Sequence, residues 1–220
     1  MIQPARTRAD FCIEIGFQPG TQDPSRVFRA MTGLIEAFQS VDRKLVRSVG
    51  PKLETVLLLE DVEAASIKAW LRNVLLETDD EALKKLDWKL IVGAYLVKAK
   101  YLMVDFLGKR TAISDRMEIV ELQRRLLAVA EETQIEPIPF YTPIPEADLL
   151  ESLRIMSEPL TRLTSGDSAK YITVDQEASF NVDFGFSPEA IEELLTKETI
   201  TNPHQIMILK VKRPDYLAGC

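Results

Sequence analysis

From Trp88 to Leu107 the chain is apolar on nearly every side of a helix. A helix of that pattern has no face to give to water, so it belongs at the centre of a fold or between subunits. The stretch Leu90 to Leu107 is also the best candidate for a membrane span, but it carries Lys98, Lys100 and Asp105. Each such charge costs about 2.5–3.5 kcal/mol at a bilayer centre, which rules against insertion. The segment is therefore read as a buried helix, and the rest of the chain must supply the layers around it.

Those layers are mixed. Phe11, Ile13, Ile15 and Phe17 alternate with polar residues, a period of two that predicts a strand. Asp23-Pro24 then opens a helix, with Asp23 as its cap and Pro24 in the first turn. Its inward stripe is Val27, Phe28, Met31, Leu34, Ile35, Phe38, Val41 and Leu45, with Arg26, Arg29, Gln39, Arg43 and Arg47 outside it. Gly50-Pro51 ends this helix. Leu53–Leu59 and Ser66–Leu71 read as strands joined by an acidic turn, Glu60-Asp61-Val62-Glu63. A short charged helix is expected over Asp79–Leu86, and a further one begins at a Ser114 cap and runs to Thr133. Glu146–Leu163 reads as a helix kinked near Pro159. Tyr171–Val174 and Ser179–Phe186 are strands of a hairpin, Ser187-Pro188 starts a short helix, and Ile206–Lys212 is a last strand.

The fold class is thus α+β: an N-terminal strand-helix-strand-strand unit, a central helical region, and a small C-terminal antiparallel sheet with a helix. Pro137, Pro139, Pro143 and Pro145 make 136–145 an extended, semi-rigid connector. It divides a 1–135 region from a 146–220 region, with one compact domain as the alternative. Two cysteines, Cys12 and Cys220, lie at opposite ends, which makes no disulfide framework and fits a reducing cytoplasm. The polar N-terminus lacks the apolar core of a signal peptide.

Net charge is -7, so duplex nucleic acid is not an expected partner. Charge is uneven along the chain: Met1–Gly50 carries seven bases and five acids, and Glu131–Asp183 eleven acids and three bases. That asymmetry suits association with another protein or with a second copy. No phosphate loop, CxxC, HExxH or GxSxG motif occurs. The single histidine, His204, cannot build a zinc site without the distant cysteines. Glu54, Glu60, Asp61 and Glu63 are read as solvated turn acids rather than Mg²⁺ or Ca²⁺ ligands, because their spacing matches no calcium loop. Asp175, Glu177 and Asp183 lack the E-x-K of metal-dependent nucleases, and a hairpin turn explains Asp175-Gln176-Glu177 better. No cofactor, metal ligand or catalytic residue is assigned. The candidate ligand or partner residues are Lys98, Tyr101 and Asp105, at i, i+3 and i+7 on one face of the apolar helix, and Phe140 and Tyr141 in the connector. Lys98 either snorkels out or pairs with Asp105; the two aromatics either recognise a partner or clip the connector to the core.

The residues Phe17-Gln18-Pro19-Gly20, the helix SRVFRAMTGLIEAF and the strand pair ending EDVEAASIKAWL resemble uncharacterised bacterial proteins found in phage-defence or mobile-element neighbourhoods. The likeness covers the first third and LVKAKY around Lys98. It includes no catalytic motif, so it transfers no functional residue, and it implies a defence component. The expected function is a non-catalytic binding protein, a sensor or adaptor working with a separate effector. A carboxylate- and metal-dependent hydrolase or nuclease, and a small-ligand module with a pocket beside the apolar helix, are the alternatives.

Overall fold

The computed structural model describes residues 9–20, 23–63, 66–76, 88–135, 138 and 141–201. The expected helix over Asp79–Leu86, Phe140, His204, the strand Ile206–Lys212 and Cys220 lie outside them. Five strands form one antiparallel sheet: β1 Phe11–Gly16, β2 Thr55–Glu63, β3 Ile67–Leu75, β4 Ser168–Ile172 and β5 Glu177–Ser179, in the order β2-β3-β1-β4-β5. The helices are α1 Ser25–Val49, α2 Trp88–Gly108, α3 Arg116–Glu132, α4 Glu146–Ser157 and α5 Pro188–Thr201. The class is α+β, with the strand-helix-strand-strand opening that the pattern predicts. Because β1 pairs with β4, the C-terminal hairpin extends the N-terminal sheet across the 136–145 connector.

The period-two faces explain the layering. Phe11, Ile13 and Ile15 of β1, Ala69 and Leu71 of β3, and Ala169 and Tyr171 of β4 share one face and are buried against α1 and α2. The opposite face carries Glu14, Lys68 and Lys170 in register, with Lys68 3.7 Å from Glu14. One buried and one polar face is the usual antiparallel solution. Helix α2 lies at the centre of the fold: Val92, Tyr95, Leu96, Ala99, Met103 and Val104 are fully buried. No helix among the described residues is long and apolar enough to cross a membrane.

Local chemistry departs from the sequence reading at several places. Asp23 does not cap α1; its backbone is left-handed (φ 57°), Pro24 holds the cap position, and the carboxylate accepts from Ser25 Oγ instead. Arg26, expected outside the stripe, is buried, whereas Phe28 is 62% exposed. The α3 cap is Asp115 rather than Ser114: its carboxylate accepts from Met117 N at 2.8 Å, and Glu118 returns the capping box. The helix from Glu146 tightens to a 3-10 turn, Glu158–Arg162, where Pro159 lacks a donor. The run Phe180–Phe186 is a loop after β5, turned by Asn181, whose side-chain oxygen accepts from Asp183 N; Phe180 and Phe184 stay buried.

Candidate functional site

At one edge of the sheet, β2 is bonded to β3 alone. Sequence pattern placed an acidic turn at Glu60–Glu63, but the strand continues to Glu63. The register explains how. Leu59 lies opposite Leu71, and Asp61 opposite Trp70, so Glu60 is an extra residue, a β-bulge. Before the bulge, Thr55, Leu57 and Leu59 share the helix-side face. After it the phase inverts: Val62 lies on that face, opposite Ala69, and Asp61 and Glu63 turn to the polar face. There the Trp70 indole N–H donates to Glu63 at 2.7 Å, and Arg72 pairs with Glu60.

The remaining side chains of this edge are apolar and open. Val56 and Leu58 are each 41% exposed, Val62 is 56% and Leu59 57%. Leu57 packs against the core, but among the described residues no helix covers Leu59 and Val62. The two ends differ in charge. Arg43 of α1 borders Thr55, Val56 and Leu57 in a shallow groove, and exposed Lys52 precedes the strand. Asp61 and Glu63 occupy the other end.

Behind the edge lies a buried ion pair that the sequence reading missed. Lys100 and Asp42 are 0% and 1% exposed, with Nζ 2.8 Å from Asp42 Oδ1 and 3.0 Å from Oδ2. The Oδ1 contact is off the hydrogen-bond direction, so Oδ2 takes the directed bond. Lys100 also donates to Asn73 Oδ1 at 2.8 Å, and Asn73 Nδ2 donates to Asp42 Oδ2 at 2.6 Å. Asn73 N donates to Asp10 at 2.7 Å. The ammonium sits 4.1 Å from the Phe11 ring centroid, and Tyr171 stacks on Phe11 at 5.0 Å. Burial pushes the Lys100 amine down from its usual range, and Asp42 opposes that shift. Burial likewise pushes the Asp10 carboxyl up. One charged triad thus ties α1, α2 and β3 together directly behind Leu57, which lies opposite Asn73.

The pattern contained this signal. Asp42 falls at i+4 from Phe38 and i-3 from Leu45, inside the α1 stripe, and Lys100 at i+4 from Leu96 and i-3 from Met103, inside the buried face of α2. Lys98 is on the other side of α2. It pairs with Glu132 of α3 at 2.6 Å, both side chains being largely exposed. Asp105 does not meet Lys98; it pairs with Lys109 and Arg125. Lys98 and Tyr101 line an open cleft of about 680 Å³ with Asp10, Asn73, Thr173 and Gln176. Tyr141 is half-buried and meets Tyr95 edge-on, 6.3 Å between centroids, while Thr142 N donates to Ser48 O at 2.8 Å. The connector is therefore clipped to α1 and α2 at Tyr141.

A second buried pair joins the start of α1 to the loop before β4. Arg26 donates through Nε and Nη2 to Asp167 at 3.0 and 2.9 Å. Burial alone would raise the Asp167 carboxyl, but Arg26, Thr164 N and Gln18 N more than offset it and hold it at about 2. No trio of His, Cys, Asp or Glu placed to hold a metal occurs among the described residues. No family model, no curated protein and no solved structure matches this chain.

Proposed function

We propose that this chain is a non-catalytic binding protein, an adaptor that joins another polypeptide through its sheet edge. The observation that carries the reading is β2: a long edge strand whose apolar side chains face solvent and whose outer backbone groups meet no other described strand. Such an edge is a template for an added strand, and proteins that do not use one blunt or cover it. Backbone bonding gives the affinity, while Val56, Leu58 and Val62 give the choice of partner. The likeness of the first third to proteins of bacterial defence neighbourhoods supports a cytoplasmic defence setting, with a separate effector. The triad behind Asn73 serves this role by fixing β3, on which the edge strand rests.

The test is native mass spectrometry of the tagged full chain isolated from cells at low expression. Complexes heavier than the 24.9 kDa chain are expected for wild type and are expected to vanish in Leu58→Lys and in Val62→Lys, each checked for an unchanged melting curve. The same complexes persisting in both variants would sink the reading. A small-ligand role is favoured by one observation, the open cleft beside Lys98 and Tyr101. Loss of cellular function in a stable Tyr101→Ala variant, with the complexes intact, would move the function there.

A further inference from the structure

The edge strand has a geometry that names its occupant. Leu76 N donates to Glu54 O, and Glu54 stands in register opposite Leu76. In an antiparallel ladder bonded and non-bonded pairs alternate, so the bonds to β3 fall at Glu54, Val56 and Leu58. The N–H and C=O groups of Thr55, Leu57 and Leu59 therefore point outward. We infer that a second copy of this chain pairs its β2 antiparallel to this one across a two-fold axis at Leu57, which rests on the edge-binding reading above.

Three features favour that occupant. The register that sets Leu57 opposite Leu57 also sets Thr55 opposite Leu59, so every outward-pointing residue before the bulge meets another outward-pointing residue. Val56 then faces Leu58 of the other copy, apolar against apolar. Past the bulge the pairing steps by one residue, so Glu63 lies opposite Lys52 of the other copy at both ends of the contact, and Asp61 lies opposite Glu54. A parallel arrangement would set Glu63 on Glu63 and Lys52 on Lys52, with no opposite charges facing, which costs affinity. The contact is isologous and closes on itself. It does not propagate through the far edge, because β5 is only Glu177–Ser179 and the end of α2 is packed on it: a Cβ on Gly108 would stand 2.0 Å from Ser179 O.

The experiment is sedimentation equilibrium of the full chain at micromolar concentrations. A mass twice 24.9 kDa is expected. Leu58→Lys should raise the dissociation constant about tenfold or more, and Glu63→Lys or Lys52→Glu alone several-fold, as close charge pairs do. Mixing Glu63→Lys with Lys52→Glu should recover association. Under oxidation, the Val56→Cys, Leu58→Cys double variant should cross-link position 56 of one copy to position 58 of the other. A monomer at all concentrations, no recovery in the mixture, or a cross-link to residues 206–212 would overturn the inference. If the chain is monomeric and Leu58→Lys still abolishes the cellular complexes, the self-pairing fails and the edge-binding reading stands. If Leu58→Lys changes neither, both fail.

Discussion

Replacing Lys100 by methionine tests the interior triad most sharply. The substitution nearly conserves side-chain length, so packing under Phe11 is largely kept, but the Asp42 carboxylate loses the cation 2.8 Å away while remaining 1% exposed. Breaking a buried pair from one side costs about 3–5 kcal/mol, because the remaining charge keeps the Asn73 amide but has neither a counter-ion nor water. Against a total stability of about 5–15 kcal/mol, that is a large share. With a urea slope of about 2–3 kcal/mol per molar, the denaturation midpoint should fall by about 1–2 M. Removing both charges, as Lys100→Met with Asp42→Leu, deletes the stranded group. The double variant should then be no less stable than either single one, even though the Asn73 amide loses two bonds, about 1–3 kcal/mol. A double-mutant cycle in urea reads this coupling directly. Additive single losses, or a Lys100→Met penalty below about 1 kcal/mol, would refute the reasoning.

Lys98, two residues away, should behave oppositely: Lys98→Met breaks an exposed pair with Glu132 and should change stability by about 0.5 kcal/mol or less in the same assay. Asp167 gives an acid-sensitive contribution. Its folded pKa of about 2 lies below the ordinary 3.8, so its stabilisation is complete above 3.8 and is lost as pH falls from there to 2, by about 1–2 kcal/mol; Asp167→Asn should flatten that part of the stability–pH profile measured by thermal melts. Gly108→Ala should lower the melting temperature by about 4–10 °C, since the new methyl meets the Ser179 carbonyl and α2 must move off β5.

Much of the fold was legible because its patterns are local. The β1 alternation, the α1 stripe and the apolar α2 each follow from one periodicity, and the structure keeps all three except at Phe17 and Phe28, which are exposed. The site was less so. The distinction between Lys98 and Lys100 depends on which side of α2 faces the core, and an all-apolar helix hides its own orientation; only Asp42, reaching across from α1, breaks the tie. Arg26 looked like a surface residue because its partner, Asp167, is far along the chain. The acids at Glu60–Glu63 read as a turn because a bulge needs no special residue, and the phase change it makes is visible only in the register with β3.

That bulge makes Glu60 a residue that the ladder can lose without changing the facing of its neighbours, while every paired position is fixed in count. With Glu60 present, Val62 keeps the company of Ala69, and Asp61 and Glu63 stand beside Trp70 and Lys68. Delete that single residue and the ladder becomes regular with Asp61 still opposite Trp70 and Val62 still opposite Ala69; were all nine residues to pair regularly instead, the acids would go under the helices and the valine into water. A shortening at Glu60 is thus absorbed by the ladder, whereas the loss of a paired residue would act as a frameshift in three dimensions. An insertion of one residue on the Thr55–Leu59 side would do the same to the outward-facing amides. Loops at the two ends of β2 can drift in length over generations; the eight paired residues between them are a counted word.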